Sequence, residues 1–265
     1  MIEHALTSEN YFSPENNQKY MGSSQFKSFL RCEAEALAEL RGEYARPVTD
    51  ALLIGSFVDA HFEGTLDIFK AKHPEIFTKT GSLKAQYSHA EYMIQRAERD
   101  LKFMQYMGGE KQKIMVGEIA GVPFKIKIDS YHPHCIVDLK CMKDFKSIWN
   151  DESSRREHFI LSWGYHLQGA IYQEVVRQNT GKKLPFYIAG ITKEKPEPRI
   201  RLYWVPNEVL EEGLAEVRSL APRLQKIKNG EMEPMRCGDC NYCRYTETLA
   251  GPVNFLEECE VYEVE

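Results

Sequence analysis

The chemistry of this chain gathers on one short stretch. Lys125-Ile126-Lys127-Ile128-Asp129 is followed by Ser-Tyr-His-Pro-His-Cys and then by Ile136-Val137-Asp138-Leu139-Lys140. Side chains alternate faces along a strand, so Asp138 and Lys140 share one face while Val137 and Leu139 enter an apolar layer on the other. A hairpin closed by residues 131–134, with pairing centred near Pro133, sets Asp129 across from Asp138 with Cβ atoms roughly 5 Å apart. Facing carboxylates repel unless a divalent cation lies between them. Oxygen ligands for Mg²⁺ or Mn²⁺, beside an ammonium that orients water or neutralises developing charge, are what hydrolysis of a phosphodiester needs. The same residues also fit a surface hairpin with an ordinary ion pair, since D-x-K is common on strands.

The elements that must position these groups belong to a globular chain. Its 265 residues, 43% hydrophobic, suffice for a full core as one large domain with at most a small appendage. The N-terminus has no basic-then-apolar run, and the longest apolar stretch, near 51–58, is too short to span a bilayer, so a cytoplasmic protein is expected. Seven irregularly spaced cysteines, three in a Cys-x-x-Cys-x-x-Cys cluster, suit reduced thiols or metal ligands better than a disulfide framework. The net charge of -5 excludes a protein coated in basic residues, so any nucleic-acid contact must use a local patch or channel.

Residues 1–22 carry no clear period and read as an arm that orders on assembly. Helical spacing of Phe26, Phe29, Leu30, Leu37 and Leu40 predicts one helix from Ser23 or Ser24 to about residue 42, with Cys32 embedded in it. Asp50 is the expected cap of a second helix that ends near His61, and a short third helix follows at 66–72. A long charged helix is expected over 90–107. Strands are expected at 113–119, 122–130 and 135–141, with Ala120-Gly121 as a tight turn. A helix at 162–179, strands at 185–192 and 200–205, and a helix opened by Pro206 complete the order. Helices, a meander, a crossover helix and two more strands give an α/β or α+β fold with a mixed central sheet. Residues 246–265 form an acidic tail.

Taken together, Gly55-x5-His61, Asp129, Ile136-Val137-Asp138-Leu139-Lys140 and Tyr165-x-x-Gln168-x3-Tyr172 resemble the PD-(D/E)XK nuclease superfamily, in its RecB-like and RecE-like branch. The stretch from Ser23 to Ala36 also looks like the opening helix of phage and prophage exonucleases of the exonuclease VIII type. The resemblance covers residues 23–245 and implies a restriction-endonuclease-like core. It implies metal ligation by His61, Asp129, Asp138 and the carbonyl of Leu139, with Lys140 positioning or deprotonating the attacking water. Taken alone, His61 reads as a core histidine satisfied by backbone. Gln168 and Tyr172 lie one helical turn apart and project together. The resemblance sets them against substrate or Lys140, whereas a face packed on the sheet is the plainer reading. Glu118 is a minor candidate near the metals, with an ion pair to Lys125 or Lys127 as its alternative. Lys27 and Arg31 are candidates for a terminal 5′ phosphate, and Lys111, Lys113, Arg155 and Arg156 for the DNA backbone. A solvated face is the default for each.

Cys237, Cys240 and Cys243, with Cys32 far upstream, resemble the nuclease branch in which one N-terminal and three C-terminal cysteines hold a [4Fe-4S] cluster. The last spacing is two residues here rather than that branch's usual five. Zn²⁺, with Cys259 or a histidine as a further ligand, and free thiols are the alternatives. The reading as a whole is a phage-type, Mg²⁺-dependent exodeoxyribonuclease acting on double-stranded DNA ends. The resemblance implies 5′ to 3′ polarity, a ring of three or four subunits and a single-strand annealing protein as partner in recombination. The rivals are a cluster-bearing nuclease of the CRISPR-associated or helicase-nuclease kind and a non-catalytic, zinc-stapled DNA-binding module. A glycosidase using Asp129 and Asp138 is disfavoured by the adjacent Lys140.

Overall fold

The computed structural model describes residues 6–150, 154–249, 251, 252 and 254. The first part is helical: α1 (Pro14–Lys19), a two-residue strand β1 (Met21–Gly22), α2 (Ser23–Arg31), α3 (Glu33–Leu40), α4 (Asp50–Glu63), α5 (Leu66–Lys72), α6 (Ala85–Glu98) and α7 (Leu101–Met107). A meander follows in β2 (Glu110–Ile119), β3 (Val122–His132) and β4 (Cys135–Met142). Then come a small ribbon of β5 (Ile148–Asn150) and β6 (Arg155–Glu157), α8 (Phe159–Ser162), α9 (Tyr165–Thr180), β7 (Phe186–Thr192), β8 (Ile200–Val205), α10 (Asn207–Lys228) and α11 (Asn241–Tyr245).

The main sheet is mixed and runs β1-β3-β4-β7-β8, with β2 on the other edge of β3. The β2–β3 turn is made at Ala120 and Gly121, both at positive φ (51° and 78°), as tight hairpin turns require. The strand β4 is central, antiparallel to β3 and parallel to β7, and the crossover between these parallel strands contains α9. Helices cover both faces. One apolar cluster joins Phe26 and Phe29 of α2 and Ile171 and Val175 of α9 to Phe124, Ile126 and Ile136. The other joins Phe57 and Val58 of α4, Met93 of α6 and Phe103 of α7 to Val137, Leu139 and Ala189. The mixed α/β architecture read from the sequence is therefore present. Among the described residues no helix is long and apolar enough to cross a membrane.

Two expected helices are split and a third starts later than expected. The 23–42 helix breaks at Cys32, whose extended backbone (φ -162°, ψ 112°) makes it the N-cap of α3. The 90–107 helix breaks before Leu101, where Asp100 caps α7 by accepting the Phe103 N–H. The helix expected from 162 begins at Tyr165, after a left-handed Gly164. Thr49 rather than Asp50 caps α4, its side chain accepting the Leu52 N–H.

The described part of the N-terminal arm, residues 6–22, packs against the rest of the single chain. Tyr11 is buried, β1 pairs with β3, and two buried lysines reach over to hold the segment. Lys125 donates to the Tyr11 carbonyl and, at 2.7 Å, to Asn17 Oδ1, while Lys228 donates to the carbonyls of Asn17 and Tyr20 at 3.0 Å each. Burial pushes their ammonium groups down to about 8 and about 7.

The helix α9 lies against the sheet through Gly169. A Cβ there would stand 2.6 Å from Phe186 Cδ1 and 2.9 Å from Leu210 Cδ2. Gly169→Ala should therefore lower stability by about 1–3 kcal/mol, the scale of overpacking, although alanine is the better helix former by about 1 kcal/mol. Urea unfolding measures this, and a midpoint at or above wild type would show that α9 tolerates a wider seat.

Candidate active site

The site lies where β4 parts from β3. β2 follows β3 along one edge, but the other edge is shared: β1 pairs at Phe124 and Lys125, and β4 pairs only at Ser130, Tyr131 and His132. One more step of that register would oppose Asp129 to Asp138. There the backbone ladder stops, and the Leu139 N–H is taken by Asp129 Oδ2 at 2.8 Å. In the unpaired stretch between, the Lys127 carbonyl accepts the Tyr172 hydroxyl at 3.0 Å. Side chains thus replace backbone partners and leave room at the fork.

Alternation on β4 sends Val137 and Leu139 into the α4–α6–α7 layer and Asp138 and Lys140 toward α9. Asp138 is 1% exposed, so it needs partners. Gln168 Nε2 donates to its Oδ1 at 2.7 Å, and Lys140 Nζ lies 2.5 Å from its Oδ2. From the other layer, α4 brings Asp59 and, one turn on, Glu63. A cavity of about 10 Å³ is lined by Asp59, Phe62, Glu63, Met107, Gln112, Asp129 and Leu139, on the scale of one water or ion.

The electrostatics of this cluster are unfavourable to its own charges. Burial first, then the charge of Asp129, push the Asp59 carboxyl up to about 8. Burial and the charge of Asp138 push Asp129 up to about 7. Burial also opposes the Lys140 ammonium, but Asp138 and Asp129 outweigh it and hold its pKa above the ordinary lysine range. Asp59 Oδ1 is buried with no hydrogen-bond donor. Orphaned and mutually repelling carboxylate oxygens around a one-ion cavity fit a hard divalent cation, which takes oxygen ligands.

Two lysines share one ring on the α9 side. Lys140 Nζ lies 5.4 Å and Lys27 Nζ 5.0 Å from the centroid of Tyr165. Lys27 also donates to the Trp163 carbonyl at 3.4 Å. Burial, then the charge of Lys140, push Lys27 down to about 8.

The structure thus brings together Asp129, Asp138, Leu139, Lys140 and Gln168, with Lys27 beside them. It does not bring His61. Asp59 and His61 point roughly 200° apart at 100° per residue, and His61 turns away to Glu98, Nε2 to Oε1 2.8 Å. Tyr172 reaches the β3 backbone rather than Lys140, and Tyr165 takes the place beside that lysine. Arg31 pairs with Glu35 at 2.7 Å. Glu118 sits at the far end of the hairpin opposite Pro123, roughly 20 Å along β3 from Asp129 at 3.3 Å per residue; its backbone binds Gln178. Lys111 is turned to the Met107 carbonyl and Lys113 to Glu110. Arg155 and Arg156 are exposed on β6.

Asp59, Glu63 and Gln112, all at the fork, escaped the sequence reading. Asp59 lies two positions before the histidine that drew attention, and the heptapeptide Ser56 to Phe62 offers two metal-ligand types. Gln112 stands opposite Asp129 in a left-handed conformation (φ 53°), and its Nε2 lies 3.4 Å from Asp129 Oδ1. A non-glycine residue in that region carries strain of the kind that gathers at functional sites. No local pattern announced it.

Away from the fork, Cys32, Cys237, Cys240 and Cys243 form a cluster with all four sulfurs within 4.8 Å of one another. Cys259 lies outside the described residues.

Comparison with known proteins follows the same lines. No curated protein matches the sequence. A crystal structure from Eubacterium rectale, named "Putative exonuclease", is 46% identical and superposes with a TM-score of 0.92 over 98% of this chain and 100% of its own. A second solved structure, SSO0001, is 12% identical over 74% of this chain and 85% of its own at a TM-score of 0.27, too low to inform the fold. Residues 22–246 match the family described as a PDDEXK-like domain of unknown function (DUF3799), so the chain belongs to that family and is a PD-(D/E)XK nuclease.

Proposed function

We propose that this nuclease is a divalent-metal-dependent exodeoxyribonuclease that shortens linear double-stranded DNA from its ends. The observation that carries the reading is the meeting of Asp59 and Asp129 on a cavity sized for one ion, with Asp138 and Lys140 close enough to act electrostatically on both carboxyls. The name of the Eubacterium rectale relative supports exonuclease action on the same frame. Asp59, Asp129 and Asp138, with the Leu139 carbonyl, are the groups that hold Mg²⁺ or Mn²⁺. The bound ion supplies a Lewis acid for the scissile phosphate and lowers the pKa of water.

The remaining work belongs to the chain. Gln168 fixes one oxygen of Asp138, leaving the other toward the fork. Held as an ammonium by two carboxylates, Lys140 is suited to donate to the attacking water or to a phosphate oxygen rather than to take a proton. Lys27, stacked on Tyr165 beside it, is the cation for a neighbouring or terminal phosphate, with Arg31 further along α2. Polarity from 5′ to 3′, a ring of three or four subunits, a single-strand annealing partner and a role in recombination rest on the resemblance to RecE-like exonucleases, and a cytoplasmic site of action on the character of the N-terminus and the cysteines.

Linear double-stranded DNA labelled at the 5′ or the 3′ end tests the reading. Wild type should release nucleotides with Mg²⁺ or Mn²⁺ and not with EDTA, and Lys140→Ala should slow release by about 10²–10⁴-fold, the scale of a lost proton-transfer or charge-stabilising group. DNA binding without release by wild type would favour a non-catalytic module.

Asp59 separates two views of α4. Its raised pKa means that the folded chain holds a proton the unfolded chain has lost; the resulting destabilisation is absent below about pH 4 and grows until pH passes about 8. Asp59→Asn should therefore raise the melting temperature in EDTA at pH 8 while reducing the extra stabilisation conferred by Mn²⁺ and abolishing nuclease action. His61→Ala should leave the Mn²⁺ response near wild type. The reverse pattern would return the metal to His61.

A further inference from the structure

The cysteines resemble those of a [4Fe-4S] branch, but their sulfurs stand too close together for that cluster. Cys32 Sγ lies 3.6 Å and Cys237 Sγ 3.9 Å from Cys243 Sγ, and no pair among the four exceeds 4.8 Å. In a cubane each thiolate belongs to a different iron and points outward from its own corner, with the whole cube between the sulfurs. A single tetrahedral ion asks for much less room. With metal–sulfur bonds of about 2.3 Å, neighbouring sulfurs of a tetrahedron lie about 3.8 Å apart.

We infer that Cys32, Cys237, Cys240 and Cys243 form a closed tetrathiolate site for one Zn²⁺ ion. Four soft thiolates select zinc over the hard ions that suit the carboxylate fork, and four protein ligands leave no open position for catalysis. Binding releases the thiol protons to solvent and changes no oxidation state. The second shell is already in place. Cys32 Sγ accepts the Glu35 N–H at 3.5 Å, Cys237 Sγ the Cys240 N–H at 3.3 Å, and Cys240 Sγ the Cys243 N–H at 3.4 Å. Such donors stabilise sulfur charge and fix its direction. Arg236 adds a cation, its Nη2 donating to the Cys243 carbonyl at 2.8 Å.

The helix break at Cys32 acquires a reason on this reading. A continuous helix would carry Cys32 around the α2 axis, whereas the extended cap turns its sulfur toward the loop that bears the other three. The ion fastens the α2–α3 junction to residues 237–243, and α2 carries Lys27 to the active site. The site is a staple, and its identity is independent of the nuclease chemistry.

The full-length chain, purified without oxygen from iron-replete cells, decides the matter by metal analysis and visible absorption. One zinc per chain, no acid-labile sulfide and no charge-transfer colour are expected. Iron with matching sulfide and a brown absorption overturns the assignment, and so does a chain with no stoichiometric metal. Cobalt(II) exchanged into the site should show the intense visible bands of a tetrahedral thiolate field; the faint spectrum of octahedral cobalt is the contrary result. Cys240→Ser, at a partly exposed position, should surrender zinc to a chelator faster than wild type and melt lower. Lys140→Ala should retain its zinc. Equal zinc retention by Cys240→Ser would remove that residue from the ligand set and sink the proposal.

Discussion

Like charge held out of water is the constraint that the rest of the fold has to satisfy. Asp59, Asp129 and Asp138 converge from a helix and two strands on one fork, where the charge of Asp138 raises the cost of ionising Asp59 and Asp129, and that of Asp129 the cost of ionising Asp59. Two unit charges 4 Å apart interact by about 4 kcal/mol at an effective dielectric near 20, so such a cluster forms only if the frame imposes it. The frame does so by burying apolar residues on both sides of the same strands. Val137 and Leu139 are committed to one helical layer and Ile136 to the other, and these commitments leave Asp138 no alternative direction. Lys140 relieves part of the repulsion, and the backbone N–H of Leu139 and the amide of Gln168 relieve more.

Bracing at the chain ends serves the same fork from a distance. Lys125 and Lys228 commit buried ammonium groups to the carbonyls of the N-terminal segment, and Arg223 grips Glu33 with two bonds of 3.0 and 2.9 Å. Glu33 in turn accepts the Met235 N–H at 2.7 Å. The start of α3 is thereby tied to α10 and to the segment leading into the cysteines. These polar ties are costly to bury and are satisfied almost completely, which suits a device for fixing one geometry more than one for adding stability. What they fix is α2, and through it the seat of Lys27 on Tyr165.

Strand-borne features were legible in the sequence because a period of two leaves little freedom. The alternation around Asp138, the Ala120-Gly121 turn and the pairing near Pro133 all follow from local pattern. Helix-borne features were less legible. A helix presents every position to some neighbour, and only the tertiary arrangement tells Asp59 from His61, two residues apart and on opposite sides. The break at Cys32 was hidden because the apolar stripe of α2 resumes in α3. Gln112 left no trace, since its strained backbone is imposed by the hairpin and by the carboxylate opposite.

The sign of the field at the fork argues for an order of events on the proposed reading. The whole chain is acidic, with a net charge of -5, and at the fork three aspartates and Glu63 are set against Lys140 and Lys27, with Lys111 and Lys193 each within electrostatic reach of one aspartate. A phosphodiester approaching that surface finds the lysines already committed to carboxyls, so without the ion the fork offers it little attraction. Divalent charge held by the aspartates reverses the balance, because a bound cation becomes the largest local charge and inverts the logic of the groups around it. The two lysines then add to an attractive field instead of being absorbed by the carboxylates. Affinity for the DNA backbone at this fork is accordingly a property of the metal-loaded chain, and the carboxylate repulsion that strains the fold is what makes it receptive to the ion.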